Sequence, residues 1–429
     1  MSRVGTLEAN RTVEAVWRIE SARVIAGLTR MVHDVGLAEE LAQDALVAAL
    51  EQWPESGVPD NPGAWLMAIA KRRAIDQFRR RETLERKVVE IGRDLETQEL
   101  PTAEPDFDAI DSNISDDLLR LVFISCHPVL STEARVALTL RLLGGLTTEE
   151  IARAFLTPEP TIAQRIVRAK KTLAKKKVPF EVPGAAELGE RLASVCEVVY
   201  LVFNEGYSAT GGSDWVRPTL CEDAMRLGRM LAELVPAERE VHGLIALMEI
   251  QASRTRARVG PGGEPVLLLD QDRRRWDQLL INRGLAALDR AAKLPGQAGP
   301  YEVQAAIAAC HARARTPEQT DWTRIAALYA RLVQVLPSPV VELHRAVAMS
   351  MAFGPEIGLR IVDELVDEPL LKNYHLLPSV RGDLLGKLDR HAEASAEFAR
   401  AAELTRNEVE QRLLRDRAAK AAARAGELG

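Results

Sequence analysis

Two short stretches concentrate side chains able to hold a polyanion. From Arg165 to Lys177 there are seven basic residues and no acidic one, and from Lys71 to Arg81 six basic residues and one acidic one, Asp76. Guanidinium and ammonium groups at this density neutralise phosphates. Glu159, Thr161, Gln164 and Arg165, at the head of the first stretch, are of types that read base edges, whereas Arg168, Lys171 and Lys175 would follow a backbone. Other chemistry is poorly provided for. The four cysteines, Cys126, Cys196, Cys221 and Cys310, are scattered without a CxxC pair. Reduced thiols are therefore expected, with no disulfide frame and no metal site. Cys126-His127 has no third ligand nearby and reads as a buried thiol beside a histidine. No Gly-rich phosphate loop, metal-spaced cluster or nucleophile motif follows residue 186. No cofactor is expected.

Helices must present these side chains. In LTTEEIARAFLTPEPTIAQRIVRAKKTLAKKK (Leu146–Lys177), Thr147 and Glu150 have the spacing of a capping box. Ile151, Ala152 and Phe155 give the first helix its apolar face. Leu156 and Thr157 make a turn, Thr157 caps again, and Pro158 takes the first helical position. Ile162, Ile166, Ala169 and Leu173 then share one side of the second helix, with the polar and basic residues on the other. This is the pattern of a helix-turn-helix. The other basic stretch ends VPDNPGAWLMAIAKRRAIDQFRRR (Val58–Arg81), which follows an amphipathic, acidic helix, GLAEELAQDALVAALEQW (Gly36–Trp53). Trp65 and Phe78 read as core.

The 429 residues carry a formal net charge of -6, which excludes a protein that coats nucleic acid over its whole surface but leaves room for local basic patches. Aromatics are scarce and strand-like alternation is nearly absent, so the fold is expected to be all-α. The N-terminal residues lack an apolar signal core and no run is long enough to span a bilayer. A soluble, cytoplasmic chain with no membrane contact is expected. Composition places a first helical block at 10–82, an acidic linker at 83–117, a second block at 118–178, a helix break at Val178–Gly184 and a helical extension at 186–425.

The two blocks, their order and the linker between them resemble the extracytoplasmic-function (ECF) sigma factors of bacterial RNA polymerase. The resemblance implies two small helical sigma domains, the second bearing the helix-turn-helix, and a transcription initiation factor that performs no catalysis. It implies core RNA polymerase and promoter DNA as partners. Asp34, Glu39, Glu40, Gln43 and Asp44 fall where such factors dock on the polymerase, while Leu46, Leu50 and Trp53 are expected to pack the domain. The loop Ser56–Asn61, with Asp60 and Asn61, matches the one that receives an unstacked base of the −10 element. Lys71, Arg72, Arg73, Asp76, Arg79 and Arg80 match the helix along the −10 region. Glu159, Thr161, Gln164, Arg165, Arg168 and Lys171 would meet the −35 element. One departure concerns Pro160-Thr161-Ile162, which stands where the commoner pattern has a Gly-Thr-Val-like triplet.

The extension opens with RLASVCEVVYLVFNEGYSATGG (Arg191–Gly212). Leu192, Val195, Val198, Val199 and Val202 make a buried helix, which Asn204-Glu205-Gly206-Tyr207 should end through a left-handed stop. The same motif resembles that of an ECF subgroup with a long C-terminal extension of tetratricopeptide-like (TPR-like) helix pairs. In Arg381–Leu404, the residues Gly382, Leu385, Ala394, Phe398 and Ala401 keep TPR spacing, and further pairs are expected within 301–336 and 339–366. The extension is expected to contact the sigma domains and to regulate them. Two other classes fit parts of this pattern. One is a helix-turn-helix regulator with a sensor domain, acting without polymerase. The other is an enzyme using Glu205, Tyr207 or His242.

Overall fold

The computed structural model describes residues 3–91, 114–155, 157–208, 216–261 and 264–427, with side chains from 12 to 79 and from 116 onward. Among them the secondary structure is helical, apart from one isolated antiparallel bridge between Val259 and Pro265. None of these helices is long and apolar enough to cross a membrane. The chain divides into two compact units, 1–198 and 199–429.

The first unit begins with α1 (Arg3–Val32), α2 (Val35–Ser56) and α3 (Pro62–Ile91). Asp34 caps α2 by accepting the Leu37 amide at 3.0 Å, and Asn61 accepts the Ala64 amide at 3.1 Å at the start of α3. Pro62 is the first residue of α3, where its missing N–H costs nothing. Apolar side chains close the core, among them Ile25, Leu28, Ala38, Leu41, Ala45, Trp53, Leu66 and Ala70. Leu50 is 36% exposed and Leu46 only half-buried, against the expectation that both pack inward; the alanines at 48 and 49 take the core side of that turn. Helix α3 continues past the expected boundary at 82, through ETLERKVVEI, because that run is free of Gly and Pro and rich in helix formers.

The second module contains α4 (Ile114–Ser125), α5 (Thr132–Leu142), α6 (Thr148–Ala154) and α7 (Glu159–Lys175). Phe123, Leu138, Leu140, Leu142, Ile151 and Ile162 are buried at its centre. The chain leaves the helix at 178–184, then enters α8 (Ala185–Tyr207). The first half of α8 covers this module: Arg191 donates to the Phe123 carbonyl at 2.7 Å, Ser194 to the Cys126 carbonyl at 2.9 Å, and Arg135 pairs with Glu197 at 3.1 Å.

The second unit takes the rest of α8, then α9 (Pro218–Leu234) and α10 (Arg239–Ala252). Three single-turn 3-10 segments, Thr255–Ala257, Leu268–Asp270 and Arg273–Arg275, then precede α11 (Gln278–Lys293). Next come α12 (Pro300–Arg313), α13 (Trp322–Val335), α14 (Pro339–Phe353), α15 (Pro355–Glu364), α16 (Leu376–Lys387), α17 (His391–Leu404) and α18 (Glu408–Glu427). From α12 onward each helix packs on the next. Helix pairs do fall within 301–336 and 339–366. Leu385, Ala394, Phe398 and Ala401 join one buried cluster, and a Cβ on Gly382 would lie 2.8 Å from the Phe398 ring.

Candidate nucleic-acid interface

The helix-turn-helix is built from its caps outward. The Thr147 hydroxyl accepts the Glu150 amide at 3.1 Å, and Glu150 returns the bond to the Thr147 amide at 2.8 Å. Thr157, by contrast, does not cap α7. Pro158 occupies that position and no side-chain cap forms, while the Thr157 hydroxyl donates to the Phe155 carbonyl at 3.1 Å. Leu156 lies outside the described residues. Along α7, Ile162, Ile166, Ala169 and Leu173 are buried. Glu159, Thr161, Gln164, Arg168 and Lys171 are exposed and Arg165 is half-buried. An α-helix with one apolar stripe and an uncovered basic face is the shape that fits a major groove. Cys126, 1% exposed, is a buried thiol with its Sγ 3.3 Å from the Thr139 hydroxyl, and burial raises its pKa.

On α3, Arg72, Asp76 and Arg79 are exposed and Lys71 and Arg73 half-buried, with Asp60 and Asn61 exposed before them. The Arg80 side chain lies outside the described residues. Trp65 is half-buried and packs edge-on to the buried Trp53, ring centroids 5.3 Å apart. Phe78 is less enclosed than expected, at 36% exposed. A groove between α2 and α3 is lined by Glu40, Gln43, Asp44, Arg73, Asp76 and Gln77, and Arg73 pairs with Asp44 across it at 3.1 Å.

Of the expected polymerase-facing residues, Asp34, Glu40 and Asp44 are exposed and Gln43 half-buried. Glu39 departs from the group. It is 4% exposed and faces the second module, where it accepts Arg141 Nε at 2.6 Å and pairs with Lys170 of α7. Burial pushes its pKa up, but Lys170 and Arg141 together more than offset this and hold it below the usual carboxylate range. Two more pairs join the modules: Arg18 with Glu150 at 2.6 Å, and Arg30 with the buried Asp117 at 3.2 Å. At Asp117 burial prevails over Arg30 and Arg120, so its pKa is raised. Sequence spacing gave no sign of these partners, because each pair bridges two separate blocks of the chain.

The Asn204–Tyr207 motif is also placed differently from the expectation. It is the last turn of α8, and Gly206 has no left-handed backbone. Glycine is required there by close approach: a Cβ would lie 2.7 Å from the Cys221 amide nitrogen and 2.8 Å from Leu220 Cβ. Glu205, 8% exposed, pairs with Arg217 at 2.5 Å. Tyr207 stacks on Phe203, and Arg258 lies 3.7 Å over its ring. His242, also buried, bonds through Nε2 to the Pro236 carbonyl at 2.8 Å. Glu205, Tyr207 and His242 are thus each engaged with a separate structural neighbour.

Comparison with known proteins follows the same division. Residues 18–83 match Sigma-70 region 2 and residues 120–173 match Sigma-70, region 4. These two modules in this order define an RNA polymerase sigma factor. SigK of Mycobacterium sp. (strain KMS), an ECF RNA polymerase sigma factor, is 31% identical over 150 residues, covering 34% of this chain and 72% of that protein. The chain belongs to the ECF RNA polymerase sigma factor family. Probable ECF RNA polymerase sigma factor SigI of Mycobacterium tuberculosis (strain ATCC 25618 / H37Rv) is 25% identical over 173 residues, 40% of this chain and 58% of SigI. An uncharacterized protein of Rhizobium meliloti (strain 1021) is 44% identical over 396 residues, 92% of both chains. Residues 191–292 match a family of unknown function (DUF6596). No solved structure gives a significant match.

Proposed function

We propose that this sigma factor selects promoters through α7 and engages the −10 element through α3 and the loop before it. Glu159, Thr161, Gln164 and Arg165 read base edges of the −35 element, while Arg168 and Lys171 hold its phosphates. Asp60 and Asn61 border the pocket for an unstacked −10 base. Lys71, Arg72, Arg73, Asp76 and Arg79 line the strand path. Asp34, Glu40, Gln43 and Asp44 form the docking face for core polymerase, and Glu39 joins them once the modules separate. The factor acts in the cytoplasm and leaves the chemistry to the polymerase. The observation that carries this reading is the exposed polar and basic face of α7, laid over a fully buried apolar stripe.

The extension is a regulatory domain built of TPR-like helix pairs, and its first contact with the sigma domains is the half of α8 that covers the second module. The test is run-off transcription with purified core polymerase. Full-length protein is compared with chains ending after Lys177 and after Val198, the second of which keeps that cover. Promoter-specific transcripts from the full-length protein support the promoter assignment, and their absence refutes it. Reduced transcription from the chain ending after Val198 supports a required extension. Identical activity for it and the full-length protein would refute a regulatory role.

A further inference from the structure

Among the described residues the guanidinium of Arg254 has no counter-ion: the residue is 9% exposed, and its Nε has no hydrogen-bond partner among them. Its neighbours are ring faces: the guanidinium carbon lies 5.8 Å from the centroid of Tyr207 and 5.8 Å from that of Trp276. Two further arginines share these rings, Arg258 over Tyr207 at 3.7 Å and Arg273 over Trp276 at 5.1 Å. Arg273, 8% exposed, donates to the carbonyls of His311 and Ala314 and to the Thr320 hydroxyl, all neutral acceptors. Glu318 acts on it only at longer range. Among the described residues no carboxylate forms an ion pair with Arg254 or Arg273.

More unmet polar groups surround the cluster. Arg273 Nε, Trp276 Nε1 and His311 Nδ1 are buried and have no hydrogen-bond partner among the described residues. His311 is held neutral, its pKa lowered to about 3 by burial and by the charges of Arg254 and Arg273. Contacts with ring faces return less free energy than a buried guanidinium loses on leaving water. Buried charges in proteins are normally paired for that reason. The planar fork of arginine suits carboxylate and phosphate oxygens better than any other partner.

We propose that Arg254, with Arg273 and Trp276 beside it, binds an oxyanion, the carboxylate or phosphate group of a small ligand. The site lies wholly within the second unit, in the stretch that matches the family of unknown function. It gives the extension a ligand to sense. It does not depend on the promoter assignments.

The full-length protein is melted in buffer with added sodium phosphate, sodium succinate or sodium chloride at matched ionic strength. Phosphate or succinate should raise the melting temperature above chloride in a saturable way. Response to one alone identifies the source, and response to both marks a general oxyanion site. Arg254→Met should abolish the response and melt in chloride no lower than the wild type, since it removes an unpaired buried charge. Arg254→Lys, which keeps the charge but not the fork, should weaken apparent affinity about tenfold or more and serves as the test if the methionine variant does not fold. A wild-type protein that melts alike in all three salts would overturn the proposal. So would a response that survives unchanged in the Arg254 variant tested.

Discussion

Arg141 Nε donates to Glu39 Oε1 at 2.6 Å, joining residues 102 positions apart and closing one sigma module on the other. Glu39→Gln should weaken this contact by about 1–3 kcal/mol, because Arg141 and Lys170 would lose their shared charge partner. Amide exchange in α2 and α7 should accelerate accordingly. The pH dependence has a definite sign. The Glu39 pKa is lowered in the fold, so its contribution is complete above the ordinary carboxylate value and lost as pH falls through the lowered one. Asp117 is raised and acts oppositely, costing stability as pH climbs from the ordinary value through the raised one. Acidification should therefore relieve Asp117 first and break Glu39 later. Urea midpoints followed from neutral to acid pH should show that late acid loss in the wild type and not in Glu39→Gln.

Trp53 and Leu50 are three residues apart on α2 and should behave very differently. Trp53, 2% exposed against Trp65, should cost about 3–5 kcal/mol on replacement by alanine. Leu50→Ala, at a surface position, should stay within about 0.5 kcal/mol. Chemical denaturation of the two variants checks the ranking, and equal losses would contradict the packing described.

Gly206→Ala places a methyl group against the Cys221 amide nitrogen, a backbone atom that cannot rotate away. Overpacking of about 1–3 kcal/mol should exceed the gain of about 1 kcal/mol from a better helix former. A lowered melting temperature is expected; a raised one would mean that the ends of α8 and α9 can separate freely.

Gln164→Ala and Arg165→Ala should each reduce discrimination between a cognate and a scrambled −35 sequence by about 1–3 kcal/mol. Lys171→Ala should weaken both equally and flatten the dependence on salt. Fluorescence anisotropy of the polymerase-bound factor measures both quantities, and an identical pattern in all three variants would remove the assignment of roles.

Periodicity carried most of what could be read in advance. The apolar stripe of α7, the Thr147–Glu150 capping box and the buried valines of α8 are all local, set within a few turns of one helix, and each is found as expected. What escaped is non-local. Burial of Glu39 depends on Arg141 and Lys170 from another module, and no spacing rule links them. Gly206 was read as a helix stop because glycine serves both left-handed turns and close approach, and only the position of α9 decides between the two. Phe78 was expected inside by type; it follows Ala70 and Ala74 along one stripe of α3, yet is 36% exposed where they are buried.

Lys170 lies among the cations of α7, but its ammonium group is committed to Glu39. It cannot neutralise a phosphate while it does so. If α7 meets DNA as proposed, any event that separates the modules returns a positive charge to that helix at the same moment that it uncovers Glu39 on α2. On that proposal self-association of the modules and affinity for a promoter compete for one charge, and a substitution that loosens the first should strengthen the second.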